Sequence, residues 1–334
     1  MSKEQTNFIK GIGILLIMIH NYVDFLLSIN SNEMIYSQDY TDTFLSHIFT
    51  ADSIWYIFSF AGWIGVPLFF FSSGYGLTKK YNDKPLNTRS YILNHLIKLW
   101  KLLVPIYLLY IFINTTNIQS ALAHITFTIN FFDDHIKGFV MDPGVYWFFS
   151  AILQFYILFI FLRKLDLRWI WTLCVFFLVI HYYAFFGASN EISWLIRRNF
   201  LGWGVPFLLG IIAARKQIKL SEQMNLLLCI ASFFALCACM VIKWLAPFSE
   251  VSMVVFIVTL SRMMTPKWIC FIGIISPSIF VLHPLIRMLF YYFYFEPKQV
   301  LLLTIIYTIV VITCGWAHHR LLKYTDQFKL MTKR

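Results

Sequence analysis

Charged residues are scarce in this chain. Lys, Arg, Asp and Glu make up 13% of its 334 residues, whereas they form roughly 25% of a soluble globular domain. Apolar residues make up 59%, and no polar stretch is long enough to form a separate folded module. This composition excludes an ordinary soluble enzyme. The N-terminal residues contain no cleavage site of the Ala-x-Ala type, so we predict that the first apolar segment is retained as a membrane span.

Apolar segments long enough to cross a bilayer recur about ten times. Lipid requires that backbone groups pair internally, and these segments are too long for barrel strands. The sequence therefore predicts an all-α, polytopic integral membrane bundle of about ten helices that forms a single domain over residues 1–334. The predicted spans are residues 8–28, 54–77, 91–114, 144–162, 169–186, 199–214, 225–243, 251–266, 268–294 and 299–319. The sixth and eighth are short, which leaves tilted, broken or wrongly assigned helices open.

The positions of the basic residues predict the orientation. If the N-terminus lies in the cytoplasm, most of the 27 Lys and Arg residues fall in the inner connections and most acidic residues fall in the outer ones. By the positive-inside rule, we predict that both termini are cytoplasmic. The net charge of +11 is then spread over short cytoplasmic turns, so we predict membrane lipids as partners and no nucleic acid.

Cysteine usage gives no sign of a disulfide or a metal site. All six cysteines fall within predicted spans, where buried thiols are usually packing residues, and none shows paired or zinc-like spacing. The loop residues Asp133-Asp134-His135 come nearest to a metal-like cluster. Three neighbouring ligand types in a loop are usually not a site, so we predict that the protein binds no metal.

Two histidines are predicted to lie deep within spans. His20 lies roughly 18 Å above the start of the first helix, and His283 lies about 22 Å along the ninth, at a similar depth. Histidine suits general-base chemistry near neutral pH, and an ionisable residue at membrane depth is a candidate functional group. The alternative is a neutral histidine that forms hydrogen bonds between helices. Pro277 and Pro284 flank His283 and would loosen its helix.

Three lysines and one serine are further candidates. Lys98 and Lys101 lie at i and i+3 on one helix face, where they reach lipid headgroups or jointly hold a phosphate. Lys10 by itself is typical of a positive-inside anchor. Ser73 is a weak candidate nucleophile because its neighbours do not form a Gly-x-Ser-x-Gly elbow. Close packing of helices through small residues explains its surroundings equally well.

Six segments, in order, resemble those of the family 3 membrane acyltransferases, the bacterial O-acyltransferases that modify surface glycans. They are Phe8–Leu16 leading to His20, Gly65–Tyr75, Lys98–Lys101 ahead of Pro105, Tyr146–Phe149 with Gln154–Tyr156, Pro206–Gly210, and Gly273–Ser276 leading to Leu282-His283-Pro284. The resemblance covers nearly the whole chain.

The resemblance implies an acyltransferase of the bacterial cytoplasmic (inner) membrane. Its donor substrate would be cytoplasmic acyl-CoA, with acetyl-CoA as the default. Its acceptor would be a hydroxyl of an extracytoplasmic glycan or of a lipid-linked precursor. Lys10, Lys98 and Lys101 match the family's cationic positions, which implies that they hold the phosphates of the donor. A histidine on the first helix would act as the general base, and Asn21 or Ser73 would steady the developing oxyanion.

The chain departs from the family pattern on its first helix. The family has ten residues between the basic residue and the histidine, whereas nine separate Lys10 from His20, so Asn21 occupies the family position. Eleven helical steps end about 20° from their start, so Lys10 and Asn21 share a face and His20 points to its side. Either a helix distortion brings His20 round, or His283 is the base, or the reaction is lost. Lysine also replaces arginine at the cationic positions, which loses bidentate geometry.

Two functions without acyl transfer to a glycan remain open. The first is a non-catalytic transporter or glycan-export component, because broken helices and polar groups at mid-membrane also occur in transporters. The second is an acyl-relay protein that passes its group to a separate enzyme. A homodimer is also left open.

Overall fold

The computed structural model describes residues 1–27, 31–82, 84–114, 118–132, 144–216, 218–292 and 300–331. Within these ranges the chain forms α-helices and short 3₁₀ segments, with no β-strand, which confirms the all-α fold. The helices are α1 (Lys3–Leu27), α2 (Gln38–His47), α3 (Ser53–Ala61), α4 (Val66–Tyr81), α5 (Thr88–Ile113), α6 (Ile118–Ile125), α7 (Trp147–Leu162), α8 (Leu167–Phe186), α9 (Asn190–Arg198), α10 (Phe200–Arg215), α11 (Glu222–Val241), α12 (Ser249–Met263), α13 (Lys267–Tyr292) and α14 (Val300–Met331).

Ten helical segments of the described chain are long and apolar enough to cross a membrane. They are Lys3–Leu27, Ser53–Tyr81, Thr88–Ile113, Gly144–Leu162, Leu167–Phe186, Asn190–Arg215, Glu222–Val241, Lys243–Met263, Lys267–Phe290 and Val300–Thr325. Each overlaps one predicted span, so the predicted number and order are confirmed. The protein is a multi-pass membrane protein. The cytoplasmic location of its termini stays a prediction.

Helix α1 packs against α13 through two glycines that leave no room for a side chain. A Cβ atom on Gly273 would lie 1.8 Å from the carbonyl oxygen of Asn7. A Cβ atom on Gly11 would lie 2.2 Å from the carbonyl oxygen of Ile269. Membrane helices commonly associate through such small residues, because the hydrophobic effect does not drive them together within lipid. Backbone contact therefore fixes α1 on the side that faces α13.

Glycines also place the second span against α1. This span is not one regular helix, since a 3₁₀ segment, Gly62–Gly65, separates α3 from α4. A Cβ atom on Gly62 would lie 2.4 Å from the Cβ of His20, and one on Gly65 would lie 2.5 Å from the carbonyl oxygen of Gly13. The 3₁₀ segment thus lies directly against the part of α1 that carries His20.

The sixth span is a broken helix, one of the alternatives that its short predicted length left open. Helix α9 ends at Arg198 and α10 begins at Phe200, with extended backbone at Asn199 (φ −117°, ψ 176°). The break places Arg197 and Arg198 in the last turn of α9. The eighth span is also irregular, because a 3₁₀ segment, Lys243–Phe248, precedes α12.

Short helices occupy the two longest predicted outer connections. Helix α2 lies within residues 29–53 and α6 within residues 115–143.

All six cysteines are free thiols. The loop residues Asp133-Asp134-His135, which the sequence did not favour as a metal site, lie outside the described residues.

Candidate functional site

A cavity of about 220 Å³ lies beside the C-terminal half of α1. It is termed the histidine cavity because His20 lines it. Its polar and aromatic wall consists of His20, Asn21, Asp24, Glu33, Trp63, Trp147, Trp194, Arg198 and Arg287. The remaining wall consists of Ile17, Met34, Val66, Gly144, Val145, Phe148 and Phe280. Such a mixture of a few ionisable groups with aromatic surfaces is typical of a small-molecule site.

The hydrogen bonds of His20 define which ring nitrogen is free. Its Nδ1 lies 3.2 Å from the backbone carbonyl oxygen of Phe58. A carbonyl oxygen only accepts, so Nδ1 carries a hydrogen, and in the neutral ring Nε2 is the nitrogen that has the lone pair. Nε2 lies 4.0 Å from the Glu33 carboxylate oxygen Oε2. The nitrogen that can accept a proton is therefore placed beside a carboxylate.

Two carboxylates accompany His20 in the cavity wall. Asp24 accepts a hydrogen bond of 3.1 Å from the Ser59 hydroxyl. Burial raises the pKa of the Glu33 carboxyl, and the positive charges of Arg197 and Arg198 oppose that rise. An ionised Glu33 would stabilise the imidazolium form of His20. In the described part of the chain, no set of three or more His, Cys, Asp and Glu side chains is placed to hold a metal ion.

A buried arginine fixes the backbone at Glu33. Arg197 is fully buried, and its Nε and Nη2 donate to the Glu33 carbonyl oxygen at 3.1 and 2.7 Å. Its Nη1 donates to Glu250 Oε1 at 2.5 Å and to His181 Nδ1 at 2.9 Å. The guanidinium also lies over the ring of Trp203, 4.3 Å from the ring centroid. This cluster therefore holds the connection that carries Glu33 against the bundle.

Two hydrogen-bond donors lie near His20 in the same cavity. The Asn21 side-chain amide donates to the Ile17 carbonyl oxygen at 2.8 Å and has a second N–H. Arg287 donates to the backbone carbonyl oxygen of Asn21 at 3.1 Å, and a guanidinium has further N–H groups. Both side chains line the cavity. They are two of the donors in this cavity that could hold an oxyanion.

A second cavity, of about 530 Å³, carries the lysines. It is termed the lysine cavity and is lined by Lys10, Lys98, Lys101, Lys323, Ser73, Tyr156, Ser276, Ser278, His319 and apolar side chains of α4, α5, α7, α13 and α14. Lys10 is half-buried and Lys98 is exposed. Ser278 is 1% exposed, and its hydroxyl has no hydrogen-bond partner among the described residues.

The two cavities meet. Phe148 and Phe280 line both of them. Lys10 of one cavity and His20 of the other lie on the same continuous helix, ten residues and therefore about 15 Å apart. A cationic cavity and a histidine cavity thus lie end to end along α1.

Comparison with protein families shows the family to which this chain belongs. The model of the family 3 acyltransferase domain matches residues 4–320. The chain belongs to the family 3 acyltransferases. The predicted membership is therefore confirmed over nearly the whole chain. Comparison with the curated proteins and with the solved structures gives no match.

In this family 3 acyltransferase, His20 and Asn21 line one cavity although α1 is unbroken. Adjacent helical residues differ by about 100° in direction, and the cavity is wide enough to contact both. His20 therefore reaches the cavity without a distortion of the helix, which was one of the alternatives that the sequence left open. Lys10 lines the other cavity, and its contact with the donor's phosphates stays a prediction.

The structure does not bring His283 into the histidine cavity. The side chain is fully buried, and its Nδ1 donates to the Phe280 carbonyl oxygen at 2.8 Å. Its Nε2 has no hydrogen-bond partner within the described ranges, and the Phe280 ring packs against it with centroids 5.5 Å apart. Helix α13 stays continuous across Pro277 and Pro284. A catalytic role for His283 stays a prediction, and of the two histidines only His20 lines the cavity.

Ser73 is grouped with the lysines rather than with His20. It lines the lysine cavity together with Lys10, Lys98 and Lys101. Asn21 and Ser73 were both predicted to steady an oxyanion, and of these only Asn21 lies in the same cavity as His20. Lys98 and Lys101 line one cavity with Lys10, and their joint contact with a phosphate stays a prediction.

Sequence reasoning missed the carboxylate and the arginines around His20. Glu33 falls in the predicted connection between the first two spans, and Arg287 falls within the ninth predicted span, and neither was predicted to have a role at the site. Arg197 and Glu250 lay just outside the two short predicted spans, where charges are ordinarily assigned to loops. The available signal was the shortness of those spans, since a broken helix can bring charged residues into the bundle.

Proposed function

We propose that this family 3 acyltransferase is an O-acyltransferase of the bacterial cytoplasmic membrane. It would move an acyl group, with acetyl as the default, from cytoplasmic acyl-CoA to a hydroxyl of an extracytoplasmic glycan or its lipid-linked precursor. The observation that supports this most directly is the placement of the His20 imidazole, whose Nδ1 is held by a backbone carbonyl and whose Nε2 faces Glu33 in a cavity that adjoins four lysines. The lysine cavity would take the donor, and the histidine cavity would take the acceptor.

The lysine cavity suits the donor. Coenzyme A carries several phosphates, and lysine ammonium groups bind phosphate as point charges. Lys10, Lys98, Lys101 and Lys323 lie around one cavity whose other walls are largely apolar. The apolar walls suit the flexible arm that joins the phosphates to the thioester.

The histidine cavity suits a sugar acceptor. Indole rings of Trp63, Trp147 and Trp194 line it, and flat aromatic surfaces pack against the apolar faces of sugar rings while their polar edges stay hydrated. Asp24 and Arg198 add groups that accept from and donate to hydroxyls. An apolar acceptor would leave these ionisable groups unpaired, which is costly.

The proposed reaction needs no group beyond those described. His20 Nε2 takes the proton of the acceptor hydroxyl as its oxygen attacks the thioester carbonyl carbon. The resulting oxyanion is held by N–H groups of Asn21 and Arg287, and Glu33 stabilises the imidazolium. When the oxyanion collapses, the carbon–sulfur bond breaks and the thiolate of coenzyme A takes the proton from His20. The products are the acyl ester and free coenzyme A.

The test is acyl transfer by the purified protein in lipid nanodiscs with radiolabelled acetyl-CoA and a bacterial envelope glycan fraction. His20→Gln is expected to lower kcat by about 10²- to 10⁴-fold, the usual contribution of a general base. His47→Gln is the matched control, because His47 lies on α2 and lines neither cavity. His283→Gln tests the second histidine in the same assay.

The outcomes separate the competing functions. Full activity in both His20→Gln and His283→Gln would show that no histidine mechanism operates. A wild-type protein that moves a glycan across the membrane without transferring an acyl group would be a transporter. An acylated protein that accumulates when no glycan is added would indicate a relay.

A further inference from the structure

Two phenylalanine rings separate the histidine cavity from the lysine cavity. Phe148 lies in the first turn of α7 and Phe280 lies on α13, and both line the two cavities. Their ring centroids are 5.1 Å apart and their planes are inclined by 52°. Aromatic rings at this separation are in contact. The two cavities therefore share a wall that includes this pair of contacting rings, which we term the phenylalanine partition.

We propose that the thioester end of acyl-CoA passes between Phe148 and Phe280 to reach His20, and that these two rings set the length of acyl group that the enzyme accepts. This proposal rests on the function proposed above. The phosphates of acyl-CoA would bind the lysines of the lysine cavity, whereas its thioester would lie beside His20 Nε2 in the histidine cavity. The phenylalanine partition is the wall that these two cavities share.

The acyl group would end on the histidine side of the partition. There it would share a volume of about 220 Å³ with the acceptor hydroxyl. The space is bounded by the two rings, and Phe280 is held from behind by the ring of His283. A longer acyl chain would therefore need the space that these rings occupy. This also gives buried His283 a packing role that does not require it to accept a proton.

Replacement of either ring by the smaller side chain of leucine is expected to change the acyl-chain length that the enzyme prefers. Phe148→Leu and Phe280→Leu should each raise the ratio of kcat/KM for hexanoyl-CoA to that for acetyl-CoA by about tenfold, the usual scale for discrimination by an apolar pocket. The matched control is Phe155→Leu. Phe155 lies on α7 and is 1% exposed, but it lines neither cavity, so its truncation should leave the ratio unchanged. Folding of each variant is checked by its melting temperature.

A second measurement is independent of catalysis. The dissociation constants of S-methyl-CoA and S-hexyl-CoA, thioethers that cannot transfer a group, are measured for the same variants. Both partition variants should gain affinity for the hexyl compound relative to the methyl compound, while Phe155→Leu should not. An unchanged length preference in both measurements would overturn the proposal. A shifted preference for thioethers in a protein that never turns over acyl-CoA would instead overturn the proposed function and keep the partition.

A different cavity carries a second, independent inference. It has a volume of about 600 Å³ and lies between α4, α10 and α12, with apolar side chains such as Phe71, Leu209, Ile212 and Val254 along it. Its lining also includes Lys79, Lys216, Lys219 and Arg262, but no carboxylate from the described residues. Three of these cations lie at the C-terminal ends of the three helices. The cations are thus gathered at one end of an apolar groove.

We infer that this groove binds an anionic phospholipid, with the headgroup phosphate on the cations and an acyl chain along the apolar walls. Basic pockets between membrane helices are the usual sites for anionic headgroups. Arg262 is held in place, because its Nη2 donates to the Ile218 carbonyl oxygen at 3.2 Å. The groove shares no lining residue with the histidine or lysine cavity, so it is not an extension of the donor site.

Native mass spectrometry of the detergent-purified protein tests the site. Phosphatidylglycerol is titrated against wild type, against Lys79→Gln/Lys216→Gln/Arg262→Gln, and against the control Lys84→Gln/Arg89→Gln/Arg168→Gln, which removes the same charge elsewhere. The affinity of the groove variant for phosphatidylglycerol should be lower by about tenfold or more. The affinity of the control variant should match that of wild type. Phosphatidylcholine should bind all three proteins alike. Equal losses in both variants, or displacement of the lipid by glycerol phosphate or by acetyl-CoA, would overturn the inference.

Discussion

The guanidinium of Arg197 donates two hydrogen bonds, at 3.1 and 2.7 Å, to the backbone carbonyl oxygen of Glu33. The two residues are 164 positions apart in the sequence. Arg197 lies at the break of the sixth span, and the Glu33 carboxylate lies 4.0 Å from the His20 imidazole. A buried cation thus ties an interrupted helix to the connection that completes the wall around the histidine.

Arg197→Met is expected to destabilise the protein, because it leaves the Glu250 carboxylate buried without its partner. Removal of one member of a buried ion pair typically costs about 3–5 kcal/mol. The double variant Arg197→Met/Glu250→Leu should recover much of this loss. Its kcat should nevertheless stay low, because nothing holds the Glu33 carbonyl. Melting temperature in detergent and acyl-transfer rate check the two effects separately.

Arg168→Met is the control for the Arg197 variants, because Arg168 is exposed near the start of α8. Arg168→Met should change neither the melting temperature nor the acyl-transfer rate. If the double variant regains wild-type kcat together with its melting temperature, Arg197 has a purely structural role and does not position Glu33.

Glu33→Gln is expected to lower kcat by roughly fivefold. Two unit charges 4 Å apart interact by about 1 kcal/mol in a water-like environment, which applies because the Glu33 side chain is 42% exposed. The pH profile should change as well. Glu33 is charged above its pKa, so its stabilisation of the His20 imidazolium is lost as the pH falls through that pKa. The side chain is only partly exposed, and this partial burial raises the pKa of Glu33, so the loss should begin at a higher pH than for an ordinary glutamate.

The pH profile of kcat separates the contribution of Glu33 from that of the histidine. Wild type should lose activity on the acid side through two ionisations, Glu33 and His20, and Glu33→Gln through one. Asp24, Arg197, Arg198 and Arg287 are the other charged groups near this pair, and all remain in the variant. Superimposable profiles after scaling would contradict the role given to Glu33.

Substitution of a lysine in the lysine cavity should weaken donor binding more, the more deeply that lysine is buried. Lys10→Gln should raise KM for acyl-CoA by about tenfold, because a half-buried charge–phosphate contact contributes about 1.5 kcal/mol. Lys98→Gln should raise it by roughly two- to fivefold, since exposed ion pairs contribute less than about 1 kcal/mol. Added salt should diminish the Lys98 effect more than the Lys10 effect.

Lys3→Gln provides the baseline for the lysine series. Lys3 is exposed at the start of α1 and does not line the lysine cavity. Steady-state kinetics at two salt concentrations make the comparison. A KM for Lys10→Gln that equals the KM for Lys3→Gln would remove Lys10 from the donor site.

Gly273→Ala should destabilise the bundle, because the added Cβ would lie 1.8 Å from the Asn7 carbonyl oxygen. Forcing an atom into a packed interface commonly costs about 1–3 kcal/mol. Gly76→Ala is a matched helical control, since its Cβ would meet nothing within 4 Å, and alanine favours a helix over glycine by about 1 kcal/mol. Melting temperatures should therefore move in opposite directions. A tolerated Gly273→Ala would show that α1 and α13 can move apart.

The regular part of the fold was predictable from local sequence. Hydropathy and length determine each span by itself, because lipid imposes the same requirement on every helix. Lys10, Lys98 and Lys101 line one cavity, and their grouping could be expected from the positive-inside rule, which predicts one side of the membrane for all three. The position of His20 followed from counting residues along α1.

The wall around His20 was not predictable from local sequence. Glu33 reaches the histidine because Arg197 holds its backbone, and that contact joins a loop to a helix break far along the chain. Neither hydropathy nor spacing encodes such a pairing. The burial of His283 behind Phe280 depends likewise on how α13 is rotated against its neighbours, which a depth estimate along one helix does not contain.

The contact between the rings of Phe148 and Phe280 also affects the bilayer as an insulator. If the histidine cavity and the lysine cavity opened toward opposite sides of the membrane and were joined by water, protons and sodium ions would run down their gradients through the protein. The two rings put a layer of hydrocarbon at the junction, and an ion that entered it would lose its hydration shell without replacement. We therefore expect the contact between the rings to limit ion leakage through the bundle.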